Sequence, residues 1–277
     1  MFSFFANIFG YLLNFLYNLL DNYGLAIIIF SVLIKIILLP ISIKQQKTMK
    51  KSAKMQAEIK EIQYKYKENP EKMNQEVLEL YKREKMSPFS GCLTAIVQII
   101  LLLSIFYLVR SPLTYMKKVD TDTINSYIDE IKAEGKMQNA NYPEIEVIKQ
   151  KGQTDEKVNI NMKFIRLDLS DVPTSDLKDY RVYIIPILYV ISSMTSMKIT
   201  SNMQKTKNKE EENKKEDSSM EAIDSANRTM SYTLPIMSVM IAFVAPLGLA
   251  LYWLVNNILM IIERILLNIF LKEKEEE

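Results

Sequence analysis

The sequence predicts an all-α polytopic membrane protein: five transmembrane helices, a cytoplasmic helical hairpin and an N-terminal interfacial helix. Three observations carry this reading. Four long runs lack charge almost entirely, each about long enough to cross a bilayer as a helix. One of them is too long for a single helix and holds a proline and a glycine near its middle. The charged residues gather in the segments between these runs.

Residues 1–22 form the first element. Ser3, Asn7, Gly10, Asn14, Asn18 and Asp21 recur every three or four residues within an aromatic, apolar stretch. That spacing puts one polar stripe on a helix, as expected of a helix lying in the outer membrane interface. A signal peptide fits poorly, since no basic region precedes the apolar part. The first span, 23–43, contains LAIIIFSVLIKIILLPISI. Residues 44–88 read as a helical hairpin. Met55, Ile59, Ile62 and Tyr66 form one stripe, and Met73, Val77 and Leu80 form the other. Asn69-Pro70-Glu71 between them is a helix start: Asn at the cap, Pro at the first position, an acid in the first turn. The methionines of the hairpin, including Met49 and Met86, suit adaptable contacts with hydrophobic clients or the translation machinery, against the plainer reading of a solvated charged hairpin.

The second span is 89–109, and 110–181 is an extracytoplasmic loop. Within that loop Glu144–Ile148 and Val158–Phe164 alternate around Lys151-Gly152-Gln153, which predicts a short β-hairpin. The third span is 182–199. Residues 200–228 are polar and charge-rich, a flexible cytoplasmic loop. Residues 229–266 hold the fourth and fifth spans, separated by a tight turn at Ala245-Pro246-Leu247-Gly248. The uncharged part, 229–262, would be roughly 51 Å as one helix, which is why it is split. Residues 267–277 are a cytoplasmic tail. Spans three to five are short, about 24 Å each against a hydrocarbon core of about 30 Å, so they would thin the bilayer locally.

Orientation follows from basic residues beside the spans. Lys44, Lys47, Lys50, Lys51, Lys54 and Lys60 place the hairpin in the cytoplasm, which leaves the N-terminus outside and the C-terminus inside. There is no histidine and one cysteine, so His-based catalysis, a zinc cluster and an intrachain disulfide are excluded, and no cofactor is implied. A net charge of +2 gives no support to nucleic-acid binding.

The most informative residue is Lys35, in the middle of the first span. A charge at that depth is costly and by default marks a functional site. No Asp or Glu lies inside any of the uncharged runs; Glu263 only closes the last one. Lys35 therefore titrates to neutral, snorkels, or faces water held inside the protein. Snorkelling is difficult: Lys44 is nine residues away, roughly 13 Å, and a lysine stem covers about 6 Å. A wet cavity open to the cytoplasm is the simplest remaining account, and its charge would attract acidic or polar peptide segments. Ser31 lies one turn before Lys35 on the same face, Gln98 midway along the second span, Ser192, Ser193, Thr195 and Ser196 in the third, Asn256 and Asn257 in the fifth. Taken singly, these uncharged residues read better as interhelical hydrogen-bonding groups than as a site.

Several separated motifs, in order, resemble the YidC family of membrane protein insertases, in its short Gram-positive form. They are YGLAIIIFSVLIKIILLPISIKQQ (23–46), LYKREKMSPFSGCL (80–93), Gln98, and PLGLALYWLVNN (246–257). The resemblance implies a fold with a hydrophilic groove open to cytoplasm and lipid. It also implies a non-enzymatic function: receiving nascent hydrophobic proteins and releasing them into the bilayer as insertase and chaperone, alone or with the Sec translocon. The partners implied are nascent membrane proteins and lipid, with the translocon and the ribosome as further candidates. Lys35 stands where the family has an arginine, which keeps the charge and loses the guanidinium fork. Ser31 and Gln98 match groove positions. Tyr252, Trp253 and Asn256 are candidate client contacts. Thr94 stands where the family usually has proline, and Ile165-Arg166-Leu167-Asp168-Leu169 only faintly echoes a Trp-Leu-Pro-Asp-type segment. The short, mixed tail makes ribosome binding through it doubtful. A small-solute transporter and a membrane-anchored sensor are the rival readings. Five spans give no even repeat for the first, and the second leaves Lys35 unexplained.

Overall fold

A computed structural model of the chain describes residues 2–86, 90–175, 179–204 and 237–276, with side chains at 49, 53, 56, 57, 90–98, 200–204 and 270–276 outside the description. The expected loop 200–228 and the start of the fourth span therefore lie mostly outside the described residues. Helices dominate: α1 (Phe2–Leu20), α2 (Tyr23–Lys65), α3 (Pro70–Arg83), α4 (Ser90–Arg110), α5 (Thr121–Ala133), α6 (Pro143–Lys151), α7 (Ile184–Gln204), α8 (237–244) and α9 (Leu247–Glu276). Among the described residues four helices are long and apolar enough to cross a membrane: Phe2–Leu20, Tyr23–Ser52, Tyr180–Ile199 and Leu247–Ile269. Ile99–Arg110 is a shorter apolar stretch of α4. This set differs from the five expected spans: α1 joins it, while α4 and α8 are described only in part.

The first span and the first arm of the hairpin are one helix. α2 runs 43 residues without a break, roughly 64 Å, with Pro40 inside it. Proline there lacks the N–H for one internal bond, yet the turns on either side hold. Asn22 starts the helix by accepting from Leu25 N at 3.0 Å. At the other end α3 folds back. Asn69 accepts from Lys72 N at 3.1 Å, and Pro70 opens the helix. Met55 and Ile59 of α2 meet Val77 and Leu80 of α3 in a small separate core. Lys51 bonds Glu84, and Arg83 bonds Glu58, closing the hairpin on its polar side.

Near its start α2 belongs to the main core. Tyr23, Ala26, Ile27 and Phe30 are buried against α1, α4 and α9. α1 shows apolar side chains on two faces: Ala6, Gly10, Leu13 and Tyr17 inward, and Phe4, Ile8, Tyr11, Phe15 and Leu19 outward. It packs along α4 and α2, with Phe9 edge-on to Phe30, and its polar anchors come from the segment after α4. Lys118 bonds Asn7 at 2.5 Å, Tyr17 Oη accepts from Asn161 N at 2.8 Å, and Gly10 lies against the Tyr115 carbonyl of a π-helical turn, Leu113–Lys117. A Cβ at Gly10 would sit 1.8 Å from that oxygen, so only glycine permits the approach.

The segment 111–175 is a folded cap. Glu144–Ile148, expected as a strand, lies in α6, with Pro143 at its first position, acids in the first turn and lysines in the last. Those end signals and the Ile145–Ile148 spacing outweigh the local alternation. The β-hairpin is very short and uses only the end of the expected Val158–Phe164 strand: Lys163–Phe164 (β1) pairs antiparallel with Leu167–Asp168 (β2). Ile165 and Arg166 make its turn with φ of 43° and 62°. A two-residue turn with positive φ normally carries Asn-Gly, so its sequence signature is missing here. The cap ties the helix starts together. Asn22 donates to Lys163 O, Tyr23 N to Asn161 O, Leu247 N to Asp171 O, and Gly248 N to Leu169 O. α9 follows the corner at Ala245–Pro246, which breaks the apolar run inside the tetrapeptide expected to turn.

Two carboxyls of α6 are buried in the cap. Glu144 accepts from Thr114 N at 3.0 Å and Thr114 Oγ1 at 2.7 Å. Burial still holds its proton above the ordinary range, against those bonds. Glu146 is raised by burial too, partly offset by the charge of Lys149.

Candidate functional site: an ion pair between α2 and α9

Lys35 is paired. Its Nζ lies 2.7 Å from Glu263 Oε2 of α9, with the two side chains 22% and 9% exposed. The expectation of an unpartnered lysine is corrected by the continuity of α9. The uncharged run stops at Ile262, but the helix runs on to Glu276. Glu263 is thus mid-helix, inside the apolar stretch Leu247–Ile269. A signal for this was present: Ile265, Leu266, Leu267 and Ile269 resume the apolar run after Arg264, so Glu263-Arg264 interrupts a helix instead of ending it.

The helix starts set the depth of the pair. Tyr23 and Gly248 are neighbours, so α2 and α9 begin at one level beneath the cap. Lys35 is twelve residues along α2, about 18 Å, and Glu263 sixteen along α9, about 24 Å. Two flexible side chains and the helix tilt close the difference. The pair therefore lies between the cap and the hairpin, in the first third of α2 and about half-way along α9. Its physical logic is direct: a lone lysine at such depth costs roughly 2.5–3.5 kcal/mol on insertion scales, and a carboxylate in contact offsets that cost. Glu263 Oε1 makes no hydrogen bond among the described residues and is buried.

A line of polar contacts continues between α7 and α9. Asn257 donates to Ser192 Oγ at 3.4 Å and Arg264 to Ser196 Oγ at 3.4 Å. Tyr189 Oη and Ser238 Oγ are 2.6 Å apart between α7 and α8. Ser192, Ser193 and Ser196 are all buried. These are interhelical contacts of the kind membrane helices use.

The other expected site residues fall as follows. Ser31 is buried, and its hydroxyl donates to Ile27 O of its own helix at 2.7 Å, so it does not reach for Lys35. Gln98 belongs to α4, and its side chain lies outside the described set. Tyr252 and Trp253, expected to touch clients, lie in the core. Both are buried, and Trp253 packs on Tyr189 with ring centroids 5.8 Å apart. The tight helix starts under the cap turn that face of α9 inward. Asn256 is half-buried. Outward, α2 shows Ile36 and Ile37, and α9 shows Ile258, Ile262 and Ile265. These large apolar side chains flank the ion pair in sequence. Among the described residues no cluster of His, Cys, Asp and Glu could hold a metal.

The chain matches the family described as the 60Kd inner membrane protein over residues 15–275. It is 27% identical over 268 residues to the membrane protein insertase YidC of Fusobacterium nucleatum, covering 95% of this chain and 96% of that protein. The chain belongs to the YidC family. Membrane protein insertase YidC of Treponema denticola is 25% identical over 263 residues, 95% of this chain but 37% of that protein. The one from Caldanaerobacter subterraneus is 41% identical over 102 residues, 37% of this chain and 50% of that protein. The chain thus spans nearly the whole of one relative and half or less of the other two. Family and apolar helices together make it a multi-pass bacterial membrane protein.

Proposed function

We propose that this chain is a membrane protein insertase and chaperone. It takes nascent hydrophobic proteins and passes them into the bilayer along a polar groove open to the cytoplasm, alone or beside the Sec translocon. The observation that carries the reading is the part-exposed Lys35–Glu263 pair, set in a family whose named relatives are insertases. Lys35 and Glu263 form the polar centre, and Gln98 is assigned to the wall. A client's short polar tail follows that centre while its apolar helix slides along the outward faces of α2 and α9. No bond is broken. The driving force is transfer of the client's apolar surface, worth about 25 cal/mol per Å². The insertase shortens the dehydrated path for the tail.

The lysines at 44, 47, 50, 51, 54 and 60 put the hairpin in the cytoplasm. The cap, 111–175, is then outside, and α1 lies across that outer end as an interfacial helix. The hairpin meets clients first, with the translocon and the ribosome as further partners.

The test is insertion into liposomes that contain only this protein. A one-span client with a short tail is scored by protease protection. Protection well above empty liposomes is expected, and Lys35→Met should reduce it about tenfold or more, since the mutation leaves Glu263 buried and alone. No protection from folded protein overturns autonomous insertase activity.

A further inference from the structure

A groove whose one cation were free would favour acidic client tails. Here the cation is cancelled at 2.7 Å, and its partner sits on another helix. Arg264, the next residue, has a contact to α7, its Nη1 3.4 Å from Ser196 Oγ. The two members of the pair are also unequal: Lys35 retains 22% exposure and Glu263 only 9%. The lysine end therefore faces whatever passes, while the carboxylate stands behind it.

We propose that Glu263 is a specificity-determining residue. It pins the Lys35 ammonium and cancels its long-range field, so that the site accepts tails of either charge instead of selecting acidic ones. This rests on the insertase reading. At such short range in a medium of low dielectric, a charge and its cancelled form differ strongly in what they attract. The effect on clients should therefore be a shift in preference and not merely a loss of activity.

The experiment uses the full chain in liposomes and two matched clients, identical except for three acidic or three basic residues in the tail. The readout is the ratio of acidic to basic client protected. Glu263→Gln should raise that ratio about tenfold, because the ammonium is left uncancelled. Lys35→Met should lower it, because a lone carboxylate remains. The exchange Lys35→Glu with Glu263→Lys should return it close to the original value. An unchanged ratio in folded Glu263→Gln overturns the proposal. If that variant does not fold, the Lys35→Met ratio decides in its place, and no change there overturns it equally. The unaltered protein inserting neither client overturns the insertase reading itself, which total protection reports separately from the ratio.

Discussion

The two ends of α2 are built on different principles. Its first two turns are gripped from several sides: by α1, by α9 and by the cap, within one continuous core. Among the described residues its last four turns pack on α3 and the residues just after it, with Met55 and Ile59 against Val77 and Leu80 and a few charged contacts. One helix thus joins a braced end to a lightly held one, with the ion pair between them. Local stability follows local burial, so the hairpin end should open without disturbing the rest. A surface that meets many clients is expected at the less stable end.

Equal truncations at the two ends sharpen that contrast most. Leu108→Ala, in the main core, should cost about 2–5 kcal/mol and lower the thermal midpoint of the detergent-solubilised protein. Leu80→Ala removes the same atoms from the hairpin. Its cost should appear as faster amide exchange and proteolysis within residues 50–83, with the global midpoint little changed. Equal global effects would mean that the hairpin and bundle unfold together.

The contact between α1 and the π-helical turn offers a second way to break the braced end. Gly10→Ala places a methyl against the Tyr115 carbonyl and should cost about 1–3 kcal/mol, read from the thermal midpoint. Gly248→Ala, whose Cβ meets nothing nearer than 3.4 Å, should cost less. Asn22→Ala removes a helix cap and the bond to Lys163 O, worth about 1 kcal/mol from the cap alone.

The smallest effect concerns pH. Burial raises Glu144 and Glu146 above their ordinary value of 4.5, so each binds its proton more tightly folded than unfolded. Their contribution is fully present below that value and is lost as pH rises through the folded one. Glu144→Gln with Glu146→Gln should flatten the stability slope in that window. A slope unchanged between the protein and this variant, in midpoints taken across pH 4 to 7, would count against it.

Much of the bundle was legible because membrane spans write themselves as uncharged runs, and because caps such as Asn69-Pro70 have a local mechanism. The hairpin stripes were readable for the same reason: α2 and α3 are near neighbours in sequence. The cap was not. α6 carried an alternating pattern that helix-end signals overrode, and the true hairpin turn, Ile165-Arg166, lacks the residues its geometry favours. Nor was the burial of Tyr252 and Trp253 readable, since an apolar helix in a membrane gives no periodic sign of which face meets protein and which meets lipid.

Lys35 marks the boundary between the two kinds of knowledge. The sequence by itself determined that a cation lies deep in an apolar helix, that the chain is a polytopic helical protein, and that it resembles the YidC family. Charge, length and motif order are local and additive, so they can be read without coordinates. Only the tertiary structure decided that the cation has a partner. Glu263 lies 228 positions further along the chain, in a helix whose continuity past Arg264 brings its carboxylate to 2.7 Å. A pairing of that kind depends on two helix starts held level by the cap, and no local pattern records it.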